Sequence, residues 1–256
     1  YLKSFSDIQN MLKSENIDLS GIKKIYLLGT TGAGKTSLVK HIINTSEYDF
    51  PSTTQSRTTV SPTEYVIKKD LPFKTTIILK DKDDICDSII LIIQDAIQKA
   101  LENFKLDKNN LEDIISKLEE SSDERFRLKY MIQHDILKEQ ALKIQNIIIP
   151  LIADLDTNNE TLFLDVNVQR EINDILNAFL EEIEICFSKL NFNKYKLFSD
   201  STITLENFLN KDDFIKRNKE LLKNDYGSLS LLVEYVRVEG NLLANWLPKD
   251  WEFVLI

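Results

Sequence analysis

Eight consecutive residues, Gly29-Thr30-Thr31-Gly32-Ala33-Gly34-Lys35-Thr36, combine the residue types needed to hold a row of phosphates. A polyphosphate packs several negative oxygens into a small volume, and backbone N–H groups surround it only where the chain wraps tightly. Gly29, Gly32 and Gly34 permit that wrap. They are three of only six glycines in the chain, so the most permissive backbone is concentrated in one place. Lys35 would set its ammonium against the β- and γ-phosphates, and Thr36, in the first turn of a helix, would offer its hydroxyl to Mg²⁺. Ser37 lies in the same turn, where the helix dipole adds to the attraction. The bland alternative is a strand-to-helix turn that binds nothing.

Strand, motif and helix must occur in that order for the turn to work, and they do. Lys23 to Leu28 is a compact apolar run rich in strand formers, and Thr36 to Ile43 sets Leu38, Val39, Ile42 and Ile43 on one helical face. Ahead of them, Phe5, Ile8, Met11 and Leu12 recur at helical spacing up to a break at Gly21. Residues 44–57 are polar and rich in Ser and Thr, with Pro51 among them, and read as a loop. Thr58 to Ile67 and Lys74 to Leu79 are β-prone, and Lys68 to Pro72 supplies the turn of an expected hairpin.

After Asp84 the period becomes helical. Ile85, Ile89, Ile92, Ile93, Ala96, Ile97, Ala100, Leu101 and Phe104 form one stripe, and Leu111, Ile114, Ile115 and Leu118 a shorter one. Helix is expected again over Phe126 to Leu155, kinked or ended at Pro150, over Val168 to Leu190, and over Leu205 to Leu222. Leu229 to Val238 and Trp251 to Ile256 return to strand character. The expected organisation is an N-terminal helix in 1–22, a nucleotide-binding module made of 23–83 and 226–256, and a helical insertion over 84–225.

Bulk properties bound the function classes. The chain has 256 residues, of which 43% are hydrophobic and 29% charged, a composition that folds around its own core. Its net charge of −9 argues against broad contact with nucleic acid or anionic lipid, which need a surplus of Lys and Arg. Cys86 and Cys186 sit in apolar helical patterns without a second ligand at metal spacing and read as reduced core residues, and the equally isolated His41 and His134 read as structural or surface residues. No apolar run reaches the ~20 residues of a membrane span, and no signal peptide opens the chain, so the cytoplasm is the expected location. The first residue is Tyr1 rather than Met, which leads us to expect a trimmed front and a piece of a longer protein.

The glycine motif makes the chain resemble the P-loop nucleoside triphosphatases. Ser52-Thr53-Thr54-Gln55-Ser56-Arg57-Thr58-Thr59, between the first helix and a β-prone run, is similar to the first switch loop of small bacterial GTPases and dynamin-like proteins. The resemblance implies an α/β P-loop fold with a partial sheet, interrupted by an all-α insertion. It implies GTP or ATP with Mg²⁺, bound by Gly29 to Ser37, with Lys35, Thr58 and Thr59 as catalytic candidates and Thr36 and Thr59 on the metal. Thr58 or Thr59 would be the switch threonine, and Thr54 is the outside choice. Arg57 reads either as an internal arginine finger or as a solvated loop residue.

Such families also carry an Asp at the end of an apolar strand, followed two residues later by Gly. Asp81, Asp83 and Asp84 lack the glycine and precede a helix, where Asp is ordinary capping. The other place is the strand Phe253 to Ile256, at the end of the sequence, from which the Asp would follow. Asn193-Lys194-Tyr195-Lys196 fails the guanine-reading pattern at its last position. The leading expectation is an Mg²⁺-dependent GTPase-like module whose insertion engages a protein partner or a second copy. An ATPase of another P-loop class, or a helical interaction protein with a degenerate nucleotide site, are the alternatives.

Overall fold

The computed structural model describes residues 5–13, 21–28, 33–43, 62–106, 108, 110–120, 127–153, 163, 165–199, 201–223, 225–248 and 250–256. The chain divides into a sheet unit, Tyr1–Asp81 with Phe198–Asn224 and Ser228–Ile256, and a helical unit, Lys82–Leu197 with Asp225–Gly227.

Six strands make one mixed sheet: β1 Lys23–Ile25, β2 Thr63–Ile67, β3 Lys74–Leu79, β4 Thr202–Leu205, β5 Val233–Gly240 and β6 Phe253–Leu255. Their order is β1-β6-β2-β5-β3-β4. β1 runs parallel to β6 and β2 parallel to β5, whereas β2–β6, β3–β5 and β3–β4 are antiparallel. The chain is therefore an α/β protein with a six-stranded mixed sheet.

Two expectations are corrected here. β2 and β3 do not form a hairpin, because β5 lies between them and pairs with both. The connection between β2 and β3 instead wraps the end of β5, where the Lys68 amide donates to the Gly240 carbonyl (3.3 Å). Gly240 makes that wrap possible: a Cβ there would lie 2.7 Å from the Phe73 ring. Turn composition between two β-prone runs predicts a reversal of direction, but it carries no information about a later strand that inserts.

The second correction concerns residues 198–224, which the periodicity assigns to the insertion and which belong to the sheet unit. Residues 202–205 pair with β3, and the helix, α8, is confined to Lys211–Leu222. Asn210 caps it, accepting from the Asp213 amide at 2.8 Å. A four-residue edge strand is too short for periodicity to separate from a helical turn.

The two faces of the sheet differ in character. Ile77, Val238 and Leu255 alternate onto one side with Thr75, whose hydroxyl donates to Asn218 Oδ1 of α8 at 2.7 Å. On the other side Ile78 and Tyr235 form a cluster with Ile8 and Leu12 of α1 (Phe5–Lys13). Val66, Ile77, Ile78, Val238 and Val254 are fully buried, each contributing roughly 1.5–3 kcal/mol of apolar transfer. The polar residues Glu64, Thr76, Arg237 and Glu239 are buried as well.

In the helical unit, α3 (Lys82–Lys105) buries Ile85, Ile89, Ile92, Ile93, Ala96, Ile97, Ala100 and Leu101 as its spacing predicts, while Phe104, expected in that stripe, is exposed. α4 (Leu111–Glu119), α5 (His134–Lys143), a π turn (Ile144–Ile148) and α6 (Ile149–Ala153) follow, and α7 (Val166–Lys189) closes the unit. Pro150 does not end the run of helix, which continues through α6 to Ala153. Lacking an N–H, Pro150 leaves a carbonyl of the preceding turn without its usual donor, and the backbone widens into the π turn just before it. Asp165 caps α7, its Oδ1 accepting from the amides of Asn167 (2.8 Å) and Val168 (3.1 Å). Among the described residues no helix is long and apolar enough to cross a membrane.

Candidate functional site

α2 (Lys35–Ile42) begins directly after Gly34, which has φ 82° and ψ 9°, in the left-handed region. An L side chain is strained there whatever the space around it, and this is the role that the third glycine of the motif was expected to serve. The first helical bond runs from the Leu38 amide to the Gly34 carbonyl (2.9 Å). Among the described residues no side chain caps the helix, and no acidic residue stands in its first turn to compensate the positive end of its dipole. Ala33, Gly34 and Ser37 are exposed and Lys35 is half-buried, with Thr36 following it as the second helical residue. Gly29, Thr30, Thr31 and Gly32 lie outside the described residues, as do Thr54, Arg57, Thr58 and Thr59.

Sheet topology determines what stands at this end of β1. The Leu27 amide donates to the Ile256 carbonyl (2.8 Å) and the Ile256 amide to the Ile25 carbonyl (3.0 Å), so β6 ends beside the residues that lead into the glycine motif. β2 is antiparallel to β6, which brings its first residue, Thr63, to the same end of the sheet. β3 also finishes at this end. It lies four strands from β1, about 19 Å at the usual strand spacing, so Asp81 after it is remote from the β1 turn.

The far end of α2 is anchored by groups that sequence reasoning missed. Lys211, at the start of α8, donates from Nζ to the carbonyls of Ile43 (2.6 Å) and Leu242 (3.4 Å). The Ala244 amide donates to the Ile42 carbonyl (2.9 Å), and His41 packs its ring against Trp246 with centroids 5.1 Å apart. A cation on the last carbonyls of a helix is favourable. Burial lowers the Lys211 pKa, partly offset by Asp212. Nothing in the local pattern marks Lys211, because its partners are 168 and 31 residues away.

A second missed feature is an ion pair within the sheet. Arg237 Nε donates to Glu64 Oε2 at 2.6 Å, from directly opposite positions on β5 and β2, and both side chains are buried. Local pattern does not mark the pair, because Arg237 is one of three charged residues in β5, with Glu234 and Glu239. Burial, and next the neighbouring Glu64 charge, raises the Tyr235 pKa, while burial alone raises that of Tyr65.

The remaining candidates serve local structure. Asp83 and Asp84 stand in the first turn of α3. Asn193 Oδ1 accepts from the Tyr195 amide (3.0 Å) and so caps a short 3-10 turn. His134 lies 3.3 Å from Glu119 Oε1. Cys86 and Cys186 are not joined in a disulfide, and burial first, then Asp83 and Asp87, raises the Cys86 pKa against the lowering effect of Lys82. Among the described residues there is no cluster of three or more His, Cys, Asp or Glu that would hold a metal ion. The chain matches no protein-family model, and it has no significant match among curated proteins or solved structures.

Proposed function

We propose that the sheet unit is the phosphate-binding part of a P-loop nucleoside triphosphatase, binding an Mg²⁺-nucleoside triphosphate at Gly29 to Ser37, with GTP the leading nucleotide. The observation that carries the reading is the left-handed Gly34 that opens α2, a helix with no acidic residue in its first turn and, among the described residues, no side-chain cap. That N-terminus suits an anion, since its amides and dipole are directed at whatever sits before Lys35. Lys35 then neutralises the β- and γ-phosphates, and Thr36, with Thr58 or Thr59 from the loop that leads into β2, would hold Mg²⁺. The metal would supply charge neutralisation on the phosphate oxygens.

The order β1-β6-β2 supports this reading further. It sets the end of β6, rather than Asp81 after β3, beside β1, and it brings Thr63, the first residue of β2, to the same end of the sheet. The helical unit would act on a protein partner or a second copy.

Calorimetric titration with Mg-GTP and Mg-ATP tests the reading. We expect micromolar or tighter binding that needs Mg²⁺, competition that ranks GTP above ATP, and loss of at least about 100-fold in affinity in Lys35→Ala, as for removal of a charged hydrogen-bonding group. No heat with either nucleotide would refute it. Binding without Mg²⁺-dependent phosphate release would reassign the site to a structural role.

A further inference from the structure

α2 is fastened at the end away from Lys35. The Ile42 carbonyl accepts from the Ala244 amide at 2.9 Å, and the carbonyl of Ile43, the C-cap, accepts from Lys211 Nζ at 2.6 Å. The same ammonium donates to the Leu242 carbonyl at 3.4 Å, so one side chain ties α2 to the connection that leaves β5. His41 against Trp246 adds a further contact between these two segments, and Val39, Ile43, Leu242 and Ala244 are buried. Bridging two carbonyls on separate segments takes a donor with several N–H groups on a long stem, which a lysine ammonium supplies.

That connection runs on into β6, and β6 holds β1. The Ile256 amide donates to the Ile25 carbonyl at 3.0 Å, and the Ile256 carbonyl accepts from the Leu27 amide at 2.8 Å. One stretch of chain, residues 242–256, therefore grips α2 behind Lys35 and β1 just ahead of the glycine motif. With eight residues, roughly 12 Å of helix, α2 is too short to be stable alone and takes its axial position from what holds it. The grip on Ile43 thus bears on where Gly34, Lys35 and Thr36 stand relative to the end of β1.

We propose that Lys211 is a positioning residue for the phosphate site: by bridging Ile43 and Leu242 it fixes α2 along its axis, and so sets the place of Lys35 and of the first α2 amides toward a nucleoside triphosphate. The ligand rests on the nucleotide-binding reading above, whereas the bridge stands on the contacts themselves. Without the ammonium, α2 loses its axial stop, and its N-terminus meets the phosphates out of alignment. Lys211 itself, at the opposite end of the helix, touches no ligand.

Three variants of the whole chain separate positioning from general weakening. Lys211→Met keeps the stem but cannot donate, and Lys211→Arg keeps the charge and the donors. Thr75→Val removes the hydroxyl that bonds Asn218, a loss within the same unit that touches neither α2 nor the β5–β6 connection. Amide exchange without nucleotide is read at Leu38, whose amide bonds the Gly34 carbonyl, and at Ile43, whose amide bonds the Val39 carbonyl at the other end. Lys211→Met should speed Leu38 exchange by about tenfold, as for the loss of a charge-assisted hydrogen bond, with Lys211→Arg and Thr75→Val within about threefold of wild type. Faster exchange confined to Ile43, or an equal response at Leu38 in Thr75→Val, overturns the positioning role. Calorimetric titration with Mg-GTP should show about tenfold weaker binding in Lys211→Met, restored to within about threefold in Lys211→Arg and kept within that margin in Thr75→Val. Undiminished affinity in Lys211→Met overturns the proposal. If the wild type binds neither Mg-GTP nor Mg-ATP, the functional reading fails and the phosphate role of Lys211 with it, while Leu38 exchange still decides whether Lys211 sets the position of α2.

Discussion

Gly34 concentrates the argument at the scale of single residues. A Cβ on it would meet nothing within 4 Å, so any cost of substitution comes from the backbone at φ 82° and not from crowding. Gly34→Ala should therefore destabilise the sheet unit by roughly 1–2 kcal/mol, and Gly34→Asn by less, because Asn tolerates the left-handed region. Denaturant unfolding measures the difference, and nucleotide affinity should fall in the same order. Lys211 offers a pH test. Its pKa is lowered on folding, so between that value and the unfolded value of about 10.4 the unfolded chain binds more protons, and stability contributed by this group rises with pH. In Lys211→Met that alkaline gain should vanish. Melting temperatures of the two proteins across this window give the comparison, and parallel curves would remove the argument.

Among the elements, the β2–β3 connection and the cap of α7 make separable claims. Gly240→Ala should cost about 1–3 kcal/mol, since the new methyl meets the Phe73 ring side chain and backbone. Phe73→Ala combined with it should recover part of that loss, leaving a coupling term in a double-mutant cycle on thermal unfolding. Strict additivity would show that the strain lies in the backbone of Gly240 alone, whose φ is 143°. Asp165→Ala should cost about 1 kcal/mol, because the Asn167 and Val168 amides lose their acceptor. That loss should appear as reduced protection in the first turn of α7.

For the whole molecule, the division into two units bears on how ligand stabilises the chain. Mg-nucleotide at 100 times its dissociation constant adds about 2.7 kcal/mol to whatever unfolds together with its site. Amide exchange should register that gain across β1, β2, β5, β6 and α2. Equal protection throughout α3 to α7 would mean that the two units unfold as one. The sheet also bears on the choice between acidic candidates, because four strand spacings lie between β1 and the strand that precedes Asp81.

What the sequence by itself determined was local. The concentration of Gly29, Gly32 and Gly34 before Lys35, the apolar period of α3 and α7, and the apolar strand runs at 23–28 and 253–256 follow from backbone freedom and side-chain spacing, which nearby residues set. Tertiary structure decided what depends on distant partners. β5 inserts between β2 and β3, β4 joins the sheet from within a stretch that reads as helical, and β6 rather than β3 neighbours β1. Lys211 on the end of α2, and Arg237 between Glu64 and α1, were equally hidden. Strand order and such long-range side-chain bonds are properties of contacts across 31 to 225 residues of chain, and no local period encodes them.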